Sequence, residues 1–145
     1  MVIGSDLRRA STAEAEAAIG ALCCANDVTA RDLQNTEQQW TRAKGFDTFC
    51  VLGIPSPFEG DLAAVQLTTK VNGAVRQQGK LADLIFSIPY LLSYISQVMT
   101  LRVGDVVLTG TPEGVGPLVE GDEVEVVIPG VGSIRNGVRA EVPGA

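Results

Sequence analysis

Apolar or β-branched residues alternate with polar ones at Val65, Leu67, Thr69 and Val71, the period of a half-buried strand. Asn72-Gly73 follows, a pair suited to positive φ, and AVRQ returns. This spacing predicts a hairpin. In SIPYLLSYISQVM the period changes to that of a helix. Ile88, Leu91, Leu92, Ile95 and Met99 share one face, Ser87 stands where a cap is wanted, and Pro89 falls in the first turn. Ser11 with Glu14 is a capping-box signature, and the Ala-rich stretch after it predicts a helix to about Leu22.

The remaining apolar runs are short. MVIG reads as the tail of a strand, ALCCANDV as a buried strand running into Asp27, and DTFCVLG as another. Residues 29–44 read as loop and short helix, and GIPSPFEGD as turns. DVVLTG, EVEVVIP and residues 133–138 complete the strands, separated by glycine turns. The sum predicts one β-rich α+β domain over residues 1–145, with a mixed, rolled sheet, one long helix and one or two short ones.

Composition narrows the class. At 46% hydrophobic and 19% charged, the 145-residue chain is globular in character and long enough for its own core. A net charge of −6 with scattered basic residues argues against a nucleic-acid partner. No apolar run approaches the ~20 residues of a membrane span. The N-terminus resembles neither a signal nor a transit peptide, so a cytoplasmic or organelle-matrix location is expected. The three cysteines lack CxxC spacing and read as buried reduced thiols.

There is no histidine, which removes any Ser-His-Asp or Cys-His nucleophile within the chain. TGTPEGVG has neither P-loop nor GxGxxG spacing; it is a turn, or a backbone cradle for an anionic oxygen with the Thr111 hydroxyl as an added donor. Glu123 and Glu125 project from one side of a strand, as a solvated face or as paired ligands; Glu14 and Glu16, on a helix, do not face each other. Lys44 is a surface lysine near Asp47, an electrostatic donor or, with a depressed pKa, a base. Arg31 pairs with Asp27 at helical spacing or clamps a substrate carboxylate.

Taken in order, ANDVTARDLQ, QWTRAKGFDTFC, VNGAVRQ, LIFSIPYLLSYISQVMTLRVGDVVLTGTPEGVG, GDEVEV and GSIRNGV resemble the fumarylacetoacetate hydrolase family over residues 20–138. The small members that cleave acylpyruvates or decarboxylate oxaloacetate are similar, as are isomerases of aromatic catabolism. The resemblance implies a β-roll fold, a homodimer, a 2-oxo acid or 1,3-diketo acid substrate and a bound Mg²⁺ or Mn²⁺. It implies that Asp27 is a metal ligand, that Lys44, Thr111 and Gln34 are catalytic, with Gln34 near the catalytic water, and that Arg31, Gly110 and Thr111 contact substrate. The implied chemistry is loss of CO₂ or an acyl group to leave a stabilised enolate.

The family's Glu-x-Glu metal ligands and its His-Glu pair belong upstream of MVIG, and Glu123-Val124-Glu125 falls on a different strand. The expectation is therefore an incomplete family member, impaired in catalysis unless another polypeptide supplies the missing ligands. The competing expectation is a non-catalytic dimerisation module derived from the family.

Overall fold

The computed structural model describes residues 1–141; the last four residues of the expected 1–145 domain lie outside the described part. The architecture is α+β. Among the described residues, eight strands form three antiparallel groups, accompanied by one long α-helix and three short ones.

Strand β1 (Val2–Ile3) pairs with β2 (Ile19–Ala21). Its other edge meets residues 104–107: Ile3 N–H donates to the Asp105 carbonyl at 2.9 Å and Val107 N–H to that of Met1 at 2.9 Å. DVVLTG therefore enters the sheet through a short ladder rather than as the strand expected, because β1 offers it so little length. At the start of the chain, Gly4 and Gly20 let two backbones touch. A Cβ on either would lie 2.7 Å from the other's Cα.

The expected helix after Ser11 forms, with both halves of the capping box, but it ends early. Helix α1 spans Thr12–Ala17, and β2 takes up the residues that follow. ALCCANDV is likewise two elements. It divides at residues 22–24, where Leu22 bridges to Ser56 and Cys24 turns its thiol to the Gly132 carbonyl at 3.2 Å. The second element is β3 (Ala25–Asp27), paired with β4 (Cys50–Leu52). Between them lie α2 (Arg31–Thr36) and α3 (Thr41–Lys44).

The predicted hairpin forms at one edge of the large sheet. Strands β5 (Gln66–Val71) and β6 (Ala74–Lys80) join through Asn72 and Gly73, with φ of +52° and +79°. The sheet continues through β7 (Glu123–Ile128) to β8 (Gly132–Gly137), in the order β6-β5-β7-β8. Val124 and Val126 are buried, as the alternation in EVEVVIP requires.

Helix α4 (Ile88–Val98) packs on α1. Ile88 and Leu92 enter a core that includes Ile3, Leu7, Ala15, Leu22 and Leu101. Two details differ from the sequence pattern. Ser87 occupies the cap position without a side-chain hydrogen bond, and Met99 is exposed because the helix ends one residue before it. The buried stripe passes instead through Ser96. Its hydroxyl accepts from Ala10 N–H at 2.9 Å and donates to the Ser93 carbonyl at 2.7 Å, so its burial is fully compensated. The opposite face shows water Tyr90 and Tyr94, and Phe86, just before the helix, stacks on Tyr90 to extend the row.

Candidate active site

Asp27 is the last residue of β3 and Lys44 the last of α3. Two backbone hydrogen bonds bring these ends together. Val28 N–H donates to the Phe49 carbonyl at 3.1 Å, and Ala30 N–H to that of Ala43 at 2.9 Å. The chain leaving β3 is thereby laid against α3, and the Lys44 ammonium donates to an oxygen of the Asp27 carboxylate. It also reaches the Thr29 hydroxyl at 3.3 Å, and that hydroxyl donates to the Asp27 carbonyl at 3.0 Å.

About a third of each charged side chain remains in water, 32% for Asp27 and 30% for Lys44. The pair is therefore half-buried and reachable from solvent. Thr29 is the member that sequence reasoning missed. Its only signal was its place two residues after Asp27, a spacing common to many turns.

Arg31 and Gln34 form a second cluster at the start of α2, where the guanidinium donates to the Gln34 amide oxygen. The expected helical pairing of Arg31 with Asp27 does not form, because Asp27 lies in a strand and the helix begins only at Arg31. Gly110 and Thr111 sit exposed in the loop after residue 107, with Gly110 at φ +127°. Among the described residues, no hydrogen bond links either to Asp27 or Lys44. An open depression of about 680 Å³ lies elsewhere, between β6 and Glu113-Gly114, lined in part by Arg76, Gln78 and Lys80.

Residues 1–139 match the family model for the fumarylacetoacetate hydrolase C-terminal domain, nearly the whole chain. The chain belongs to the fumarylacetoacetate hydrolase family. A mitochondrial oxaloacetate tautomerase from Mus musculus is 47% identical over 125 residues, which cover 82% of this chain and 56% of the mouse protein. The solved structure of a 5-carboxymethyl-2-hydroxymuconate delta-isomerase from Mycobacterium smegmatis superposes with a TM-score of 0.93 at 45% identity, covering 97% of this chain and 56% of that one. A 2-hydroxyhepta-2,4-diene-1,7-dioate isomerase from Mycobacterium marinum gives a TM-score of 0.91 at 45% identity, covering 95% and 55%. The chain thus spans little more than half the length of these relatives.

Within this family member, the acidic side chains can be sorted by their partners. Glu125 receives Lys70 at 3.2 Å and Arg135 at 2.9 Å, and Arg135 also approaches Glu123 at 3.5 Å. The strand register sets Lys70 and Arg135 on either side of Glu125. Hydrogen bonds from Arg135, then Lys70, hold the Glu125 carboxyl below its ordinary range. These carboxylates form a charged, solvated face rather than a shared metal site.

Among the described residues, no three His, Cys, Asp or Glu side chains gather where an ion could be held. Mg²⁺ prefers an octahedron of oxygens, several of them water, with one or two carboxylates. Asp27 is a single carboxylate with an ammonium already on it. On their own, these residues do not fit the cation that the resemblance implies.

The thiols also divide. Cys23 and Cys24 are buried as expected, and burial raises the Cys24 pKa. Cys50 is exposed, contrary to expectation, because in β4 it lies opposite Asp27 at the open end of the ladder.

No helix among the described residues is long and apolar enough to cross a membrane.

Proposed function

We propose that this chain carries part of the active site of an enzyme acting on 2-oxo acids through an enol or enolate. The observation that carries the reading is the Lys44 ammonium, held by Asp27 and Thr29 at a half-exposed strand end. When a proton leaves the carbon next to a keto group, negative charge develops on the keto oxygen. A preorganised cation there lowers the barrier; removal of one such donor typically costs ~10²–10³ in kcat. Arg31 would take the substrate carboxylate and Thr111 would add a hydroxyl donor. Gly110 would allow close approach of the backbone, and Gln34 would orient a water.

The tautomerase and two isomerases among the relatives support isomerisation, and a putative fumarylpyruvate hydrolase from Burkholderia cenocepacia of similar structure supports C–C cleavage as the second reading. In tautomerisation a proton leaves carbon and a proton is gained by oxygen, with no bond between carbons broken. Hydrolysis of an acylpyruvate or decarboxylation of oxaloacetate instead breaks a carbon–carbon bond and leaves the enolate of pyruvate, whose negative charge also rests on the keto oxygen. Mg²⁺ or Mn²⁺ binding belongs to this proposal only with Asp27 as one ligand among others supplied by the length of the relatives that this chain does not span. A homodimer belongs to it also, and sedimentation velocity reads it.

The test offers oxaloacetate and acetylpyruvate, with Mg²⁺, to the wild-type chain and to Asp27→Ala and Lys44→Ala. Enol decay, CO₂ release and acetate release are followed separately. Enol conversion above the metal-only rate, lost in both variants, supports the reading. Equal rates in all three proteins show that this chain alone does not catalyse the reaction and favour a module that keeps the fold without the chemistry.

A further inference from the structure

We propose that Gln77 is a positioning residue that holds the loop carrying Gly110 and Thr111 in place. Three independent contacts place this loop against β6, the edge strand of the large sheet. The Gln77 side-chain amide donates to the Pro112 carbonyl at 2.9 Å. The Pro112 ring lies over Gly79, where a Cβ would come within 3.0 Å of it. Gly114, at φ +99°, comes so close to the Arg76 carbonyl that a Cβ would lie 1.9 Å from that oxygen.

The strand is shaped for this contact. Its pairing with β5 slips at one point: Thr69 faces Gln77 and Lys70 faces Val75, so Arg76 is an extra residue with no partner across the ladder. Such a bulge re-aims the side chains and carbonyls around it, and bulges are common beside active sites. Here the bulged residue turns its carbonyl to Gly114, and its neighbour Gln77 turns an amide to Pro112. An edge strand otherwise leaves polar groups free for a foreign strand, and the loop covers part of that edge. The Pro112 carbonyl directly follows Thr111, so holding it limits where the Thr111 hydroxyl can sit. The significance of the clamp for catalysis rests on the reading of Thr111 as a substrate contact, and the two are separable by experiment.

The full chain, labelled for NMR without any ligand, is compared with Gln77→Ala. Loss of the clamp predicts backbone order parameters at Gly110, Thr111 and Gly114 falling from about 0.85 to below about 0.6, with β5 and β7 unchanged. The Pro112 carbonyl carbon resonance also moves upfield, a signature of its lost donor that general destabilisation does not produce. If Gln77→Ala fails to fold, Gln77→Glu keeps the size, lacks the amide donor and is expected to show the same local pattern. Unchanged order parameters and an unmoved Pro112 resonance overturn the proposal. So does a loss of order spread evenly over β5 and β7, which would make Gln77 a determinant of sheet stability only. Thr111→Val titrated with oxalate tests the substrate-contact reading on its own. Unaltered affinity there counts against that reading, whereas failure of the clamp is seen in the ligand-free spectra.

Discussion

Lys44 donates to the carboxylate of Asp27 across 17 positions of sequence, joining the end of a four-residue helix to the end of a three-residue strand. Because both side chains remain about a third in water, the pair is a minor source of stability. A partly exposed ion pair contributes ~0.2–1 kcal/mol. Asp27→Ala and Lys44→Ala are expected to unfold in urea within that range of wild type, and a double-mutant cycle to return a coupling no larger. A coupling of several kcal/mol would identify the pair as a structural strut and weaken its reading as a reactive group.

The contact between Gly4 and Gly20 admits no side chain. Either glycine replaced by alanine places a methyl 2.7 Å from a backbone carbon, and backbone cannot swing aside as a flexible side chain can. Overpacking of this kind typically costs about 1–3 kcal/mol. Urea midpoints should fall for Gly4→Ala and for Gly20→Ala alike. Midpoints equal to wild type would mean that β1 and β2 separate without cost.

Acid should weaken two sets of charged contacts, one on the large sheet at Glu125 and one between Asp6 and the residues around Arg102. Hydrogen bonds from Arg135 and Lys70 hold Glu125 below its ordinary value of 4.5, and those from Arg102 and Val103 hold Asp6 below 3.8. A depressed carboxyl binds its proton more weakly in the folded chain than in the unfolded one. Its contribution is therefore fully present above the ordinary value and lost as pH falls through the lower folded value. Thermal midpoints should decline in acid below those ordinary values, with a shallower decline in Glu125→Gln. An identical acid limb in the variant would remove Glu125 from the account.

The thiols should react in two classes. Cys50 is exposed, whereas Cys23 and Cys24 are buried and the pKa of Cys24 is raised by that burial. A thiol reagent at neutral pH is expected to label one cysteine quickly and two only on unfolding, since the thiolate is the reactive form. Cys50→Ser should abolish the fast phase. A fast phase that persists in this variant would place Cys23 or Cys24 at the surface.

Elements whose causes are local were legible in the chain. Asn72-Gly73 adopts the positive φ values that its residue types favour, Ser11 and Glu14 cap α1 reciprocally, and α4 begins where Pro89 permits. Boundaries were less legible where a tertiary partner ends an element. Helix α1 stops at Ala17 because the following residues pair with β1, and ALCCANDV splits because Leu22 bridges to Ser56. The Glu123 and Glu125 side of β7 was open between two roles until strand register supplied Lys70 and Arg135.

The family, the α+β class, the hairpin and the long helix follow from residue order, because capping, turn preference and apolar period act over a few neighbours. The company each functional side chain keeps does not. Asp27 finds Lys44 rather than Arg31, Thr29 joins them, and Pro112 is held by Gln77 from 35 positions away. Those contacts depend on where two chain ends are laid side by side in space, and a one-residue change of strand register redirects them without altering any local pattern.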